Sequence, residues 1–279
     1  MLRNWFITSL FLLVTSGTFA LAQERSTQDQ TKVGQAQEKA NDKLEAFEPD
    51  QSTLPVKAPE GALVLFDGQN HKFVSMAGQK INWPIVDGSL VSTQKRGNIN
   101  HLCSTIHFQD AEIHVEFMLP EKGKGNSGIY IHGNYELQIL NSHKSKKLSQ
   151  QEMGSLYGFA RPKVNAALPP GEWQVYDIRY QAPRRNENGE IVKKGQITAW
   201  LNGKLVQDKT EFGEPRSIYH PFRHGKTPYL ESIYKKQKAT SVGPVFLQDH
   251  NSPIKFRNVW LRPLDDKAFE YKPEEGQPK

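Results

Sequence analysis

The chain has 279 residues, with 36 Lys and Arg against 30 Asp and Glu, one cysteine and a hydrophobic fraction of 37%. A scaffold held by internal disulfides is excluded, because Cys103 has no second cysteine to pair with. The 14 Phe, 9 Tyr and 5 Trp residues can fill a sizeable core, which excludes a wholly disordered chain. We expect Cys103 to be a buried thiol rather than a nucleophile.

Residues 1–22 have the pattern of a secretory signal peptide. Arg3 precedes an apolar stretch that ends at Ala20-Leu21-Ala22. Polar residues at 15–18 interrupt this stretch, so it falls short of the roughly 20 apolar residues that a membrane span needs. We therefore predict cleavage after Ala22, export to the periplasm or the extracellular space, and no stable membrane anchor.

Residues 23–60 are rich in Gln, Lys, Glu, Asp and Ala, and three prolines between 49 and 59 would interrupt any helix. We predict a flexible linker here, a folded domain over residues 61–265 and a tail over residues 266–279. Residues 61–279 carry a net charge of +8. This excess fits either a solvated basic surface or attraction to acidic glycans. Export makes nucleic acid an unexpected partner.

The domain shows the short alternating segments of an all-β fold. Residues 111–119 place an apolar side chain at every second position, which predicts a strand with one face on the core and one on solvent. Asn202-Gly203 predicts a hairpin turn. We predict two antiparallel sheets packed as a β-sandwich, with a barrel as the alternative. Further strand candidates are residues 62–66, 89–93, 128–132, 135–140, 173–180, 197–201, 245–248 and 256–262.

The most informative stretch is a predicted hairpin with Gly133-Asn134 as its turn. Alternation along its two strands would bring Tyr130 and His132 onto the same sheet surface as Glu136 and Gln138. A polar outer face is expected of any sandwich. However, an aromatic ring, an imidazole, a carboxylate and an amide together suit sugar hydroxyls, which need bidentate partners and a flat stacking surface. We interpret this surface as a carbohydrate site.

A series of short segments, rich in Gly, aromatic and amide residues, runs through the domain in a fixed order: Leu65-Phe66-Asp67-Gly68, Trp83, Val86-Asp87-Gly88-Ser89-Leu90, Asn126-Ser127-Gly128-Ile129, Tyr135-Glu136-Leu137-Gln138, Gly154-Ser155-Leu156-Tyr157-Gly158, Pro170-Gly171-Glu172-Trp173, Leu201-Asn202-Gly203 and Gly243-Pro244-Val245-Phe246-Leu247-Gln248-Asp249-His250. Through these segments the chain resembles the 3-keto-disaccharide hydrolase domain family. That resemblance implies a concanavalin A-like jelly roll.

The resemblance also implies chemistry on glycosides already oxidised to a ketone at C3. A C3 ketone acidifies the C2 hydrogen, so a base can abstract it and the resulting enolate can expel the C1 substituent. Addition of water then completes a net hydrolysis. In this mechanism Glu136 is the expected base, and His250 is the expected acid with Asp249 as its orienting partner.

Other residues are expected to bind substrate. Trp83 or Tyr157 would provide a stacking wall, although a place in the core is the favoured interpretation of Trp83. Asn126 could instead cap a turn, and Asp249-His250 could simply shape a loop. The residues expected to hold sugar hydroxyls or the C3 oxygen are Asn126, Tyr130, His132, Gln138 and Gln248.

Two alternatives to this chemistry follow from the same strand. Related jelly-roll glucanases carry Glu-x-Asp-x-x-Glu, and here Glu136 is followed by amides at Gln138 and Asn141. A retaining glycosidase needs a second carboxyl about 5–5.5 Å from the first, so hydrolysis of unmodified glucans is disfavoured. A lectin-like carbohydrate-binding module without catalysis is the other alternative.

A divalent metal ion, calcium or a transition metal, could assist by holding the enolate oxygen. The candidate ligands are His132, Glu136 and His250. The aromatic and basic segment 209–240 is predicted to be a long loop. It either rims the groove and fixes specificity or is a basic surface excursion.

Overall fold

The computed structural model of the protein describes residues 50–93, 100–216 and 219–271. The predicted signal peptide and the linker up to residue 49 lie outside these ranges, as do residues 272–279 of the predicted tail.

Within the described residues the fold is built almost entirely from strands. The strands are β1 (Leu63–Phe66), β2 (Phe73–Ser75), β3 (Ile85–Val86), β4 (Ser89–Val91), β5 (Leu102–Ser104), β6 (Ile106–His107), β7 (Ala111–Met118), β8 (Ser127–Ile131), β9 (Tyr135–Ile139), β10 (Trp173–Gln181), β11 (Arg184–Arg185), β12 (Ile191–Lys193), β13 (Gly195–Leu201), β14 (Lys204–Phe212), β15 (Val245–Leu247), β16 (Lys255–Pro263) and β17 (Phe269–Glu270).

Two antiparallel sheets contain most of these strands. The larger sheet has the order β14-β13-β10-β7-β16-β4-β3, and β1 also pairs with β16. The smaller sheet has the order β2-β5-β15-β8-β9. The pairs β11-β12 and β17-β6 stand apart from them. The predicted all-β, two-sheet sandwich of the jelly-roll type is confirmed.

The main hydrophobic core lies between the two sheets. Ile129 and Leu137 of the smaller sheet belong to it, together with Ile113 and Ile178 of the larger sheet, and all four are at most 1% exposed. Because successive side chains alternate across a strand, the apolar half of β8 and β9 faces this core. Their other half, which carries the polar residues, faces away from it.

The outward face of β7 differs from its sequence prediction, because it is buried rather than solvated. Glu112, His114 and Glu116 alternate along this face, and none is more than 2% exposed. Arginines of neighbouring strands pair with them: Arg179 lies 3.1 Å from Glu112, and Arg257 lies 2.7 Å from Glu116. Alternation in sequence cannot distinguish a face covered by water from one covered by arginine side chains.

His114 lies at the centre of this charged layer. Its Nδ1 is 2.7 Å from Asp177, and its ring stacks on Trp260 with centroids 4.7 Å apart. Burial alone would lower the pKa of His114, but the hydrogen bonds to Asp177 and Glu116 outweigh it and raise the pKa. The ring therefore bridges two buried carboxylates.

The last part of the predicted linker also lies on this face. Gln51 donates a hydrogen bond of 2.5 Å to Asp177, and the amide of Val56 donates one of 2.8 Å to Glu116. The carbonyl of Val56 accepts from Asn258 at 2.7 Å. Ordered contacts with the domain thus begin before the predicted boundary at residue 60.

The segment 209–240 is not one long loop, as the sequence suggested. Strand β14 continues to Phe212, and two helices follow, α1 (Pro221–His224) and α2 (Pro228–Thr240). Thr227 caps α2 by accepting a hydrogen bond from the amide of Leu230. Leu230 and Ile233 then pack in a second apolar cluster on the smaller sheet. Neither helix in the described residues is long and apolar enough to cross a membrane.

We predict that Glu116→Gln lowers the free energy of unfolding by about 3 kcal/mol, because it removes one charge from a buried, paired layer. The matched control is Glu211→Gln, whose partner Lys194 and whose own side chain are more than half exposed. That change should cost less than about 1 kcal/mol. Urea denaturation of both variants measures the difference, and equal costs would contradict a structural role for the layer.

Candidate functional site

A cleft of about 310 Å³ opens on the face of the smaller sheet that is turned away from the main core. Strands β8 and β9 and the residues after β15 supply its floor. Seven of the ten residues predicted to form the site line it, together with one residue from the segment after β14. The lining residues are Asn126, Tyr130, Glu136, Gln138, Tyr157, Tyr219, Gln248 and His250.

Glu136 is the only carboxylate among the described residues that line the cleft. Its side chain lies on β9 directly opposite Tyr130 of β8, and the residue is 4% exposed. Burial raises the pKa of Glu136 to about 7, and a hydrogen bond from Tyr130 offsets only part of this effect. A carboxylate with such a pKa can accept a proton near neutral pH.

Gly128 makes the space that the Glu136 carboxylate occupies. A Cβ atom at residue 128 would lie 2.3 Å from Oε1 of Glu136 and 2.9 Å from its Cγ. Such contacts are far inside van der Waals distance, so any larger residue would push the carboxylate away. Glycine is therefore required at this position for packing rather than for a turn.

Hydrogen bonds hold the aromatic side of the cleft in place. Gln248 donates its Nε2 to the hydroxyl of Tyr130 at 3.1 Å. The Tyr130 hydroxyl has two acceptors within reach, the backbone carbonyl of Tyr219 at 3.2 Å and the Glu136 carboxylate. These contacts connect the base candidate to the segment that follows β14.

Two amide oxygens in the cleft have no hydrogen-bond partner within the described part of the chain. They are Oε1 of Gln138 and Oε1 of Gln248, and both residues are 5% exposed. A buried acceptor without a partner costs free energy, so these atoms are prepared to receive a donor. Sugar hydroxyls are donors of the right kind.

His250 lies at the exposed edge of the cleft, where Nδ2 of Asn126 is 3.2 Å from its Nδ1. The predicted pairing of His250 with Asp249 is not formed. The Asp249 carboxylate instead accepts a hydrogen bond from Thr93 at 3.1 Å, and Asp249 is absent from the cleft lining. The side chain of His250 faces the cleft, whereas that of Asp249 faces Thr93. Their adjacency in the sequence therefore did not predict a contact between them.

His132 is not in the cleft, which corrects its predicted placement. It has a φ of 54°, so the turn of the hairpin is His132-Gly133 rather than Gly133-Asn134. The left-handed backbone rotates the ring off the polar face and into the core, between Phe108 and Tyr180. Burial there lowers the pKa of His132 to about 3, so the ring is neutral.

Trp83 is also a core residue, in agreement with its favoured interpretation and not with a stacking role. It is 3% exposed, and its ring stacks on Phe256 with centroids 5.9 Å apart. Its Nε1 donates to the carbonyl of Asn100 at 2.9 Å. The aromatic wall of the cleft is formed by Tyr157 and Tyr219 instead.

The candidate metal ligands are not brought together. His132 lies in the core, apart from Glu136 and His250 in the cleft. Among residues 50–93, 100–216 and 219–271, no group of three or more His, Cys, Asp and Glu side chains is placed to hold an ion. The proposed ligand set therefore does not fit. Cys103 is buried, as predicted, and burial raises the pKa of its thiol.

Sequence reasoning missed two parts of this site. Tyr219 lies in a segment suspected of rimming the groove, but nothing in its own pattern marked it. Gly128 was noticed only as part of a family segment. Its place opposite Gln138 in the hairpin register could have shown that it adjoins the Glu136 side chain on the same face.

The chain belongs to the 3-keto-alpha-glucoside-1,2-lyase-like domain family, whose profile matches residues 61–262. The predicted resemblance is thus confirmed. No curated protein matches the chain significantly.

Solved structures agree with the family assignment. A candidate glycosyl hydrolase from Parabacteroides distasonis is 33% identical, with 74% of this chain and 85% of that one covered and a TM-score of 0.61. A second candidate glycosyl hydrolase from the same organism is 19% identical, covers 74% and 95%, has a TM-score of 0.50, and shows the fold alone. The chain is therefore a glycosyl hydrolase-like, carbohydrate-active domain.

We predict that the burial of Glu136 makes stability depend on pH. The pKa of Glu136 is raised from 4.5 to about 7, so the folded protein holds a proton that the unfolded chain has already released. Relative to Glu136→Gln, the wild type should lose about 3 kcal/mol of unfolding free energy as pH rises from about 4.5 through 7. Urea denaturation across this range measures it, and parallel pH curves would refute the raised pKa.

Proposed function

We propose that the protein is an exported enzyme that cleaves 3-keto-glycosides, such as 3-keto-disaccharides, by C2 proton abstraction and elimination followed by addition of water. The observation that carries this proposal is the buried Glu136 carboxylate, which is the one carboxylate among the described residues lining the cleft and whose pKa burial raises to about 7. Elimination from an acidified carbon needs one base of this strength rather than two carboxylates.

The cleft supplies the remaining requirements through its own side chains. The Glu136 carboxylate would accept the C2 proton, and the electron pair of that C–H bond would delocalise toward the C3 oxygen. The unpaired amide oxygens of Gln138 and Gln248 would receive sugar hydroxyls. Asn126 and His250, hydrogen-bonded to each other at the cleft edge, can donate to a carbonyl or an enolate oxygen.

A two-carboxylate glucanase mechanism is less compatible with this geometry. A retaining glycosidase needs a second carboxyl about 5–5.5 Å from the first. Glu136 is the only carboxylate among the described residues that line the cleft. Gln138 is an amide at a position where the glucanase motif has an acid. Hydrolysis of unmodified glucosides is therefore not expected.

The direct experiment is release of free sugar from 3-keto-trehalose and 3-keto-lactose, with the parent disaccharides as controls. It uses the mature protein, whose N terminus we expect at Gln23 if the signal peptide is cleaved on export. Wild type should turn over only the keto substrates, with a rate that falls as pH drops below about 7 because Glu136 becomes protonated. Glu136→Gln should lose at least about 100-fold in kcat.

The other outcomes separate the alternatives. Turnover of the parent disaccharides would overturn the keto-specific chemistry. Sugar binding without any turnover, retained in Glu136→Gln, would identify a lectin-like module. Loss of activity with a chelator would show that a divalent ion assists. Retention on a column of acidic glycan would show that the net charge of +8 over residues 61–279 contributes to substrate binding.

A second prediction tests the position of the base rather than its identity. Gly128→Ala should lower kcat on the keto substrate at least about 10-fold, because the new Cβ would displace the Glu136 carboxylate. The matched control is Gly213→Ala, since a Cβ there meets nothing within 4 Å and Gly213 has no positive φ. Equal activity of the two variants would contradict the packing argument.

A further inference from the structure

The cleft continues into a second, more open compartment. This outer groove has a volume of about 670 Å³ and is lined mostly by polar residues of the segments around residues 123–126, 138–145 and 151–157. Its lining residues are Gly123, Lys124, Asn126, Gln138, Leu140, Asn141, Ser145, Gln151, Glu152 and Tyr157. Together the two compartments have room for more than one sugar ring.

Three residues line both compartments and so form the junction between them: Asn126, Gln138 and Tyr157. The base candidate Glu136 lines the cleft and is absent from the lining of the outer groove. A sugar whose C2 hydrogen meets Glu136 must therefore sit in the cleft. A C1 substituent that extends from this ring into the outer groove would pass the junction, so the departing oxygen would be released there.

Of the three junction residues, only Tyr157 carries an ionisable proton, because Asn126 and Gln138 are amides. The other titratable groups each line one compartment alone. Tyr130, Tyr219 and His250 face the cleft, and Lys124 and Glu152 face the outer groove.

The backbone holds Tyr157 firmly at this place. Its amide donates a hydrogen bond of 2.9 Å to the carbonyl of Glu136, and the preceding residue Leu156 bridges to Leu137. Base and junction residue are thus fixed to the same strand. Burial, followed by the proximity of Glu136, raises the pKa of Tyr157, so the phenol keeps its proton at neutral pH.

We propose that Tyr157 is the general acid of the reaction and protonates the departing glycosidic oxygen, whereas the outer groove receives the leaving group. This inference rests on the proposed 3-keto-glycoside chemistry. Tyr157 thereby takes the acid role that we expected of His250, in addition to its place in the aromatic wall of the cleft.

Glu136 takes the C2 proton, the electrons of the C2–H bond form a C1–C2 double bond, and the C1–O bond breaks with its electrons on the leaving oxygen. That oxygen takes the phenol proton of Tyr157. Water then adds to C1, giving one proton to the Tyr157 phenolate, and the proton held by Glu136 returns to C2. No oxidant or reductant is consumed.

The experiment compares two leaving groups in Tyr157→Phe. An alkoxide, as released from 3-keto-trehalose, needs a proton, whereas 4-nitrophenolate from 4-nitrophenyl 3-keto-α-glucoside is stable without one. We expect kcat on 3-keto-trehalose to fall at least about 100-fold and kcat on the nitrophenyl substrate to fall less than about 10-fold. Activity on the nitrophenyl substrate also demonstrates that the variant is folded.

The matched control is Tyr234→Phe, because Tyr234 lies on helix α2 and is absent from the lining of both the cleft and the outer groove, so kcat on both substrates should be unchanged. Equal losses on the two substrates in Tyr157→Phe, or no loss on either, would overturn the acid role. A leaving-group-dependent loss in His250→Asn instead would assign the acid to His250. If the wild type turns over neither keto substrate, the proposed function itself fails. If the wild type turns over both, only the role of Tyr157 remains to be decided by its variant.

Discussion

Two buried carboxylates, one on the outer face of each sheet, differ in how far hydrogen bonds offset the cost of burial. Glu116 is fully buried, yet hydrogen bonds from His114, Asn258, Val56 and Arg257 outweigh the cost of burial and lower its pKa to about 2. Glu136 is buried nearly as deeply, but only Tyr130 offsets the cost, and its pKa rises to about 7. The first carboxylate is a stabilising charge, whereas the second has the raised pKa expected of the proposed base.

The outer face of the smaller sheet has a covered part and an open part, and Glu136 lies in the open part. Helix α2 and its apolar contacts with Phe246 cover one part of this face. The remaining part is open as the cleft, where Tyr130 donates a hydrogen bond to the backbone carbonyl of Tyr219 and Gln248 donates one to the Tyr130 hydroxyl. Positions set by a rigid sheet are more precise than positions on free loops, which suits chemistry that depends on the placement of one carboxylate.

The cleft and the outer groove would bind different parts of the substrate. The reacting ring would contact the strands, whereas the leaving group would contact loops around residues 141–152, which tolerate variation more readily. Members of one family could then share the base and differ in the glycosides they cleave. Tyr157 at the junction belongs to both parts, because its backbone is bonded to Glu136 and its ring reaches the groove.

The sequence by itself determined the sandwich and most strand positions. Period-two alternation placed Tyr130, Glu136 and Gln138 on one face of a hairpin, and the family resemblance supplied the other four of the seven predicted residues that line the cleft. Only the tertiary structure decided the rest. The positive φ of His132 moved its ring into the core, and paired arginines turned a face of β7 that looked solvated into a buried one. Tyr219 reached the cleft through a long-range contact with Tyr130. Local backbone rotation and contacts between distant segments leave no periodic signal in the chain, so only the folded molecule reveals them.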